Sequence, residues 1–170
     1  MLNDYQIKTL ADSASLIEPF NIDRLQPHSY DCTLGWEVKL AQYDHFTEMK
    51  RWTSFNLKDR NFKLEHGEFA LSGTTEYLKL PDTIAGFVQG KSTIGRNGLQ
   101  IECAGLVDAG FEGNITLELY NMAPWPIVLK EGQPICQIHF VYVDSPIYKD
   151  YAATGHYNKQ KGATVPVYSL

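Results

Sequence analysis

From about residue 34 the chain is a succession of short apolar stretches cut by Gly, Pro and Asp, and this punctuation limits the fold more than any other feature. Trp36-Glu37-Val38-Lys39-Leu40 alternates at period two, as a strand with one buried face requires. Phe69-Ala70-Leu71, Tyr77-Leu78-Lys79-Leu80 and Ile84-Ala85-Gly86-Phe87-Val88 are strand-like and bounded by turn formers. Asn114 to Tyr120 alternates most clearly: Ile115, Leu117 and Leu119 share one face, Thr116, Glu118 and Tyr120 the other. Pro126 to Leu129 and Ile135 to Val143 follow, split by a turn at Glu131-Gly132. Many short strands, with 13 Gly and 8 Pro in 170 residues, predict a single all-β sandwich or barrel domain over 1–170. Only the first 18 residues read as helical: Ile7, Leu10 and Ala11 sit at helical spacing, Asp12 to Ala14 suit the cap of a second turn, and Pro19 ends the region. The weakly periodic residues 150–170 are expected as a mobile C-terminal tail or lid.

Charge narrows the function classes. Fifteen Lys plus Arg stand against 20 Asp plus Glu, a net charge of −5, which argues against a broad footprint for a nucleic acid polymer or an anionic membrane. A small phosphate ligand needs only a few local cations and stays open. The N-terminus lacks the basic start and apolar run of a signal peptide, and no stretch approaches the length of a membrane span. The 3 cysteines, Cys32, Cys103 and Cys136, are odd in number and widely spaced, so a reducing cytoplasm is expected.

Two familiar motifs fail. Gly90-Lys91-Ser92-Thr93 resembles the end of a P-loop, but the position that needs the first glycine is Ala85, and the following apolar helix is cut short at Asn97-Gly98. A strand ending in Gly-Lys-Ser-Thr still offers N–H groups, hydroxyls and a cation suited to phosphate. His66-Gly67-Glu68 matches half of a zinc deaminase signature whose other half, Pro-Cys-x-x-Cys, is absent. Cys136 and His139 lie on an alternating pattern that points them to opposite faces, which favours a core cysteine over a zinc ligand.

The informative stretch runs from Gly86 to Asn121. Gly90-Lys91-Ser92-Thr93-Ile94-Gly95-Arg96-Asn97-Gly98 is followed by Ala104-Gly105-Leu106-Val107-Asp108-Ala109-Gly110-Phe111-Glu112-Gly113, then by Thr116-Leu117-Glu118. Upstream stands Gln26-Pro27-His28-Ser29-Tyr30-Asp31-Cys32-Thr33-Leu34-Gly35, and downstream Tyr157-Asn158-Lys159-Gln160-Lys161-Gly162. This set, spanning about residues 16 to 163, resembles the dCTP deaminase and trimeric dUTPase superfamily. Glu118 favours the deaminase branch, since trimeric dUTPases typically carry an apolar residue there.

The resemblance implies a distorted jelly-roll (β-clip) fold, a homotrimer with active sites between subunits, and zinc-independent deamination of dCTP to dUTP. In bifunctional members the product continues to dUMP and pyrophosphate. It implies Glu118 as general acid and base, its pKa raised by burial, Ser92 as the group that orients water, and Arg96 as the residue that positions the glutamate. Backbone at Cys103 and Ala104 would read the pyrimidine edge, Asp108 would contact the sugar 3′-OH, and Phe111 would pack on the deoxyribose. Lys91, Ser92 and Thr93, with Tyr157, Lys159 and Gln160, would take the triphosphate. Mg²⁺ would arrive with the nucleotide. In a trimer, Lys91 and Arg96 with His156, Lys159 and Lys161 of the tail would give an acidic chain a locally positive pocket.

Taken singly, Arg96 reads equally as a surface cation, Asp108 as a turn former before Gly110, and Phe111 as core. The chain also departs from the family pattern. Lys91 stands where arginine is usual and loses the bidentate fork. Glu102-Cys103-Ala104-Gly105 replaces His-x-Thr-Ala, a wording closer to bifunctional members and one that implies weaker inhibition by dTTP. The tail lacks the usual Ser-Arg end. A dUTP diphosphatase without deaminase activity, and a catalytically silent nucleotide-binding regulator, are the two alternatives on the same scaffold.

Overall fold

The computed structural model describes residues 1–102, 105–144, 146–149 and 151–167; the side chain of Glu102 is not described. The chain opens with helix α1 (Asp4–Ala14). Strands β1 (Ile17–Glu18), β2 (Leu25–Gln26), β3 (Ser29–Asp44), β4 (Met49–Asn56), β5 (Phe62–Leu64), β6 (Phe69–Lys79) and β7 (Ile84–Gly90) follow. After the short helix α2 (Ser92–Arg96) come β8 (Leu99–Glu102), β9 (Leu106–Val107), β10 (Glu112–Asn121), β11 (Ile127–Leu129), β12 (Pro134–Tyr142) and helix α3 (Tyr151–Thr154).

The long strands form one antiparallel sheet in the order β8-β10-β6-β3-β12-β7-β9, with β1 on β6 and both β2 and β4 on β3. Strands β7 and β8, near opposite ends of that path, touch each other, so the sheet curls around its core. The core holds Tyr30, Leu34, Leu78, Ile84, Leu117, Leu119 and Phe140, each essentially sealed from solvent. The mostly-β expectation holds, and no helix among the described residues is long and apolar enough to cross a membrane.

Three local readings change. Helix α1 is a single element: Asn3 and Gln6 form a reciprocal capping box, and Ser15 in the left-handed region ends it, four residues before Pro19. The stretches at 69–71 and 77–79 are one strand, β6, which ends before Leu80 and in which Gly73 is not a break. A Cβ there would lie 2.7 Å from the Gly162 carbonyl carbon, so the glycine admits a close backbone approach inside the strand. The stretch at 36–40 belongs to the much longer β3.

Strand β3 is buried on both faces over its first half. Tyr30, Cys32 and Leu34 enter the core, while Ser29, Asp31 and Thr33 face the other way. Glu76, with no exposed surface, is satisfied there by Arg24 Nη1 at 2.6 Å, the Thr33 amide at 2.8 Å and the Thr33 hydroxyl at 2.9 Å. A carboxylate so buried is tolerated only because each oxygen has a donor.

Beyond β12 the chain returns across β10. Gly113 and Gln160 form a parallel bridge; the Lys159 amide donates to Glu112 O at 2.6 Å, the Asn114 amide to Gln160 O at 3.1 Å, and the Thr164 amide to Thr116 Oγ1 at 3.1 Å. The tail is therefore docked along its own strand, as an extra strand would be.

Candidate active site

Alternation on β10 decides the site. Ile115, Leu117 and Leu119 are drawn into the core, so Thr116, Glu118 and Tyr120 are turned to the other face and left half-buried. Glu118 sits mid-strand, opposite Leu71 of β6 on one side and Glu102 of β8 on the other. Both neighbours are hydrogen-bonded strands, so its backbone is fixed from two sides. Its Oε2 is shut from solvent.

Glu118 forms part of the wall of a cavity of about 430 Å³, shared with Asp108, Phe111, Thr116, Tyr157 and Gln160. The cavity is built on a tight turn. The Phe111 amide donates to Asp108 O at 3.1 Å and Gly110 has φ +85°, the glycine position of a type II turn. That turn sends Phe111, 5% exposed, toward the core and leaves Asp108 exposed at the cavity.

Several wall residues escaped the sequence reading. Trp52 and Phe69 line the apolar end with rings 6.2 Å apart, and Leu71 lies beside them. Tyr151 of α3 packs its ring 6.1 Å from that of Phe111. Burial pushes the Tyr151 hydroxyl above the usual phenol range; a hydrogen bond donated by the Tyr157 backbone works against this, and the nearby Asp108 charge adds to the rise. Gly155 is obligatory beside it, since a Cβ would lie 2.3 Å from the Tyr151 ring. No periodicity marks Tyr151; its only signal was the aromatic content of the tail.

The tail residues fall into place unevenly. Gln160 is anchored, its Nε2 donating to Asn114 O at 2.7 Å, and Tyr157 Oη accepts from the Val167 amide at 3.2 Å. Lys159 is exposed and outside the cavity wall, with φ +61°.

The turn after β7 stands apart. Ser92, Thr93 and Arg96 are exposed on α2, and neither they nor Lys91 line the Glu118 cavity. Lys91 is engaged elsewhere, in an ion pair with Asp31. Within one chain, then, Glu118, Asp108, Phe111, Tyr157 and Gln160 come together, and Lys91, Ser92, Thr93 and Arg96 do not join them. Cys103 and Ala104 lie outside the described residues. Cys136 is buried, while His139, half-buried, has Nδ1 2.9 Å from His28 O.

A curled antiparallel sheet with a strand-borne carboxylate at a small-molecule cavity, crossed by its own C-terminal segment, is the class that fold and site define. Residues 1–143 match the sequence model of the dCTP deaminase-like family, and the chain belongs to that family. It is 38% identical over 175 residues to a protein of Persephonella marina named dCTP deaminase, dUMP-forming, covering 96% of this chain and 94% of that one. A protein of the same name from Hydrogenobaculum is 43% identical over 165 residues, covering 92% and 91%. Among solved structures, the 2′-deoxycytidine 5′-triphosphate deaminase of Agrobacterium tumefaciens superposes with a TM-score of 0.70 at 22% identity, over 82% of this chain and 45% of that one. That likeness concerns the fold.

Proposed function

We propose that this protein deaminates dCTP and carries the product on to dUMP and pyrophosphate. The observation that carries the reading is Glu118: a carboxylate on an inner strand, one oxygen closed to solvent, in a cavity it shares with Phe111 and Asp108. The relatives named dCTP deaminase, dUMP-forming, support it over nearly the whole chain.

The chemistry follows from the residues. Glu118 takes a proton from water as its oxygen bonds to C4 of cytosine. The tetrahedral carbon then expels ammonia once Glu118 returns the proton to the amino group, and the proton of the C4 hydroxyl passes to N3 to leave the C4 carbonyl of uracil. A carboxylate at the cavity wall can carry one proton from the water to the departing amino group. Phe111 and Tyr151 give the sugar an apolar seat in which a 2′-hydroxyl would go unpaired. Asp108 serves the 3′-hydroxyl and then aligns the second water, which attacks the α-phosphorus and releases pyrophosphate. The nucleotide enters as its Mg²⁺ complex, the metal held through phosphate oxygens and water.

The exposed turn supplies the missing partners from another copy. Ser92, Thr93 and Arg96 are exposed, and Leu106, 52% exposed, both lines the cavity and pairs across β7 and β9 with Phe87, 43% exposed. An apolar pair at a sheet edge, next to an open catalytic cavity, favours burial by a second protomer. In the homotrimer so formed, Ser92 and Arg96 of one copy face Glu118 of the next, and the docked tail closes over the nucleotide.

Incubation of the pure protein with dCTP and Mg²⁺, with products resolved by chromatography, tests this. The expected products are dUMP and pyrophosphate; absence of both dUTP and dUMP contradicts the reading. Conversion of dUTP alone would leave only the diphosphatase.

A further inference from the structure

The segment Gln26–Gly35 and the turn after β7 are far apart in sequence, yet their charged groups meet: Lys91 Nζ donates to Asp31 Oδ2 across 60 residues. Gln26 Nε2 donates to the same oxygen at 3.2 Å. The Asp31 side chain is 10% exposed, and its Oδ1 is shut from solvent with no hydrogen bond from any described residue. A carboxylate buried on these terms needs a cation beside it, because little else offsets its lost hydration.

Lys91 is held at its other end too. Its carbonyl accepts the amides of Ile94 at 3.0 Å and Gly95 at 2.9 Å, the bonds that begin α2. The residue that starts the turn is thus pinned by backbone and side chain together. Drawing the ammonium away toward a phosphate would strand Asp31, so Lys91 keeps its place when an anion arrives, with its remaining N–H donors held at the turn.

We infer that Asp31 is a positioning residue for the turn carrying Ser92 and Arg96, acting through Lys91; its bearing on catalysis rests on the role proposed above for that turn. The strut explains why lysine can stand at this position. A bidentate fork is not required of a group whose work is to fix the start of α2 and whose charge is already shared with Asp31.

The test uses the full chain as wild type, Asp31→Asn, Lys91→Met and the double variant, with two readouts. In steady-state kinetics on dCTP, each single variant should lose about tenfold or more in kcat with KM within about threefold, and the double should be no worse than the poorer single. In amide hydrogen exchange, Ile94 and Gly95 should open about tenfold faster in Asp31→Asn while β10 is unchanged. Multiplying losses in the double variant, a rise in KM at constant kcat, or unchanged exchange at Ile94 and Gly95 would overturn the inference. A wild type that leaves dCTP untouched refutes the functional reading, and the exchange measurement then still decides whether Asp31 orders the turn. Should Asp31→Asn fail to fold, Lys91→Met carries both readouts.

Discussion

The rings of Phe111 and Tyr151 stand 6.1 Å apart at an interplanar angle of 48°, joining a residue at the head of β10 to a residue of the C-terminal segment. Through this pair the tail becomes part of the cavity wall. Truncating Phe111 to Ala should cost about 3–5 kcal/mol of stability, because a nearly sealed ring is replaced by a void. Tyr151→Ala should cost less in melting temperature and more in KM for dCTP. Gly155→Ala should resemble Tyr151→Ala, since its Cβ would collide with the ring 2.3 Å away. Thermal denaturation beside steady-state kinetics separates the two effects.

Docking of the tail depends on glycine at a second place. Gly113 has φ +147°, and a Cβ on it would lie 2.9 Å from Gln160 O. Gly113→Ala should lift the segment from β10, making residues 157–164 sensitive to limited proteolysis and raising KM for dCTP while the sheet persists. A tail as protected as wild type would show that docking does not rely on this contact.

The buried pair of Arg24 and Glu76 is structural. Replacing Arg24 by Met leaves Glu76, with no exposed surface, without its cation, and should cost about 3–5 kcal/mol. The loss should appear in chemical denaturation and leave KM unchanged in the protein that remains folded.

If active sites are assembled between copies, two dead proteins should rescue each other. Ser92→Ala and Glu118→Gln should each be inactive as pure homotrimers. Refolded together in equal amounts, they should recover about one quarter of wild-type activity, the fraction of interfaces that pair an intact Glu118 with an intact Ser92. No recovery would place both residues on one chain's site.

In the proposed mechanism Asp108 serves the second chemical step and is dispensable for the first. Asp108→Asn should still deaminate dCTP but stall before the α-phosphate, so that dUTP accumulates where the wild type gives dUMP. Following both products over time by ion-exchange chromatography tests this, and unchanged dUMP formation would remove Asp108 from the second step.

Much of this was legible in the chain. The alternation of Ile115, Leu117 and Leu119 gives β10 its faces, and with them the outward turn of Glu118, because burial of a period-two stripe leaves no freedom of register. The turn at Asp108–Phe111 was legible for a similar reason, since Gly110 marks a positive φ. What could not be read depends on contacts distant in sequence. Gly73 is held inside β6 by the tail that lies against it, a contact far away in sequence. Tyr151 lies in no periodic pattern and meets the cavity wall only by docking on Phe111. The ion pair of Asp31 with Lys91 spans 60 residues, and no local pattern announces it. The separation of Ser92 and Arg96 from Glu118 is of another kind: in the proposed assembly the site is completed by a second copy, and its parts lie apart in any single chain.

The central claim is that Glu118 carries both proton transfers of deamination. The direct measurement is the rate of dCTP deamination by Glu118→Gln, with dCTP binding measured in parallel by calorimetry. The account predicts a loss of about a thousandfold or more in kcat, with dCTP bound within a few-fold of wild type. Deamination by Glu118→Gln at the wild-type rate would contradict it.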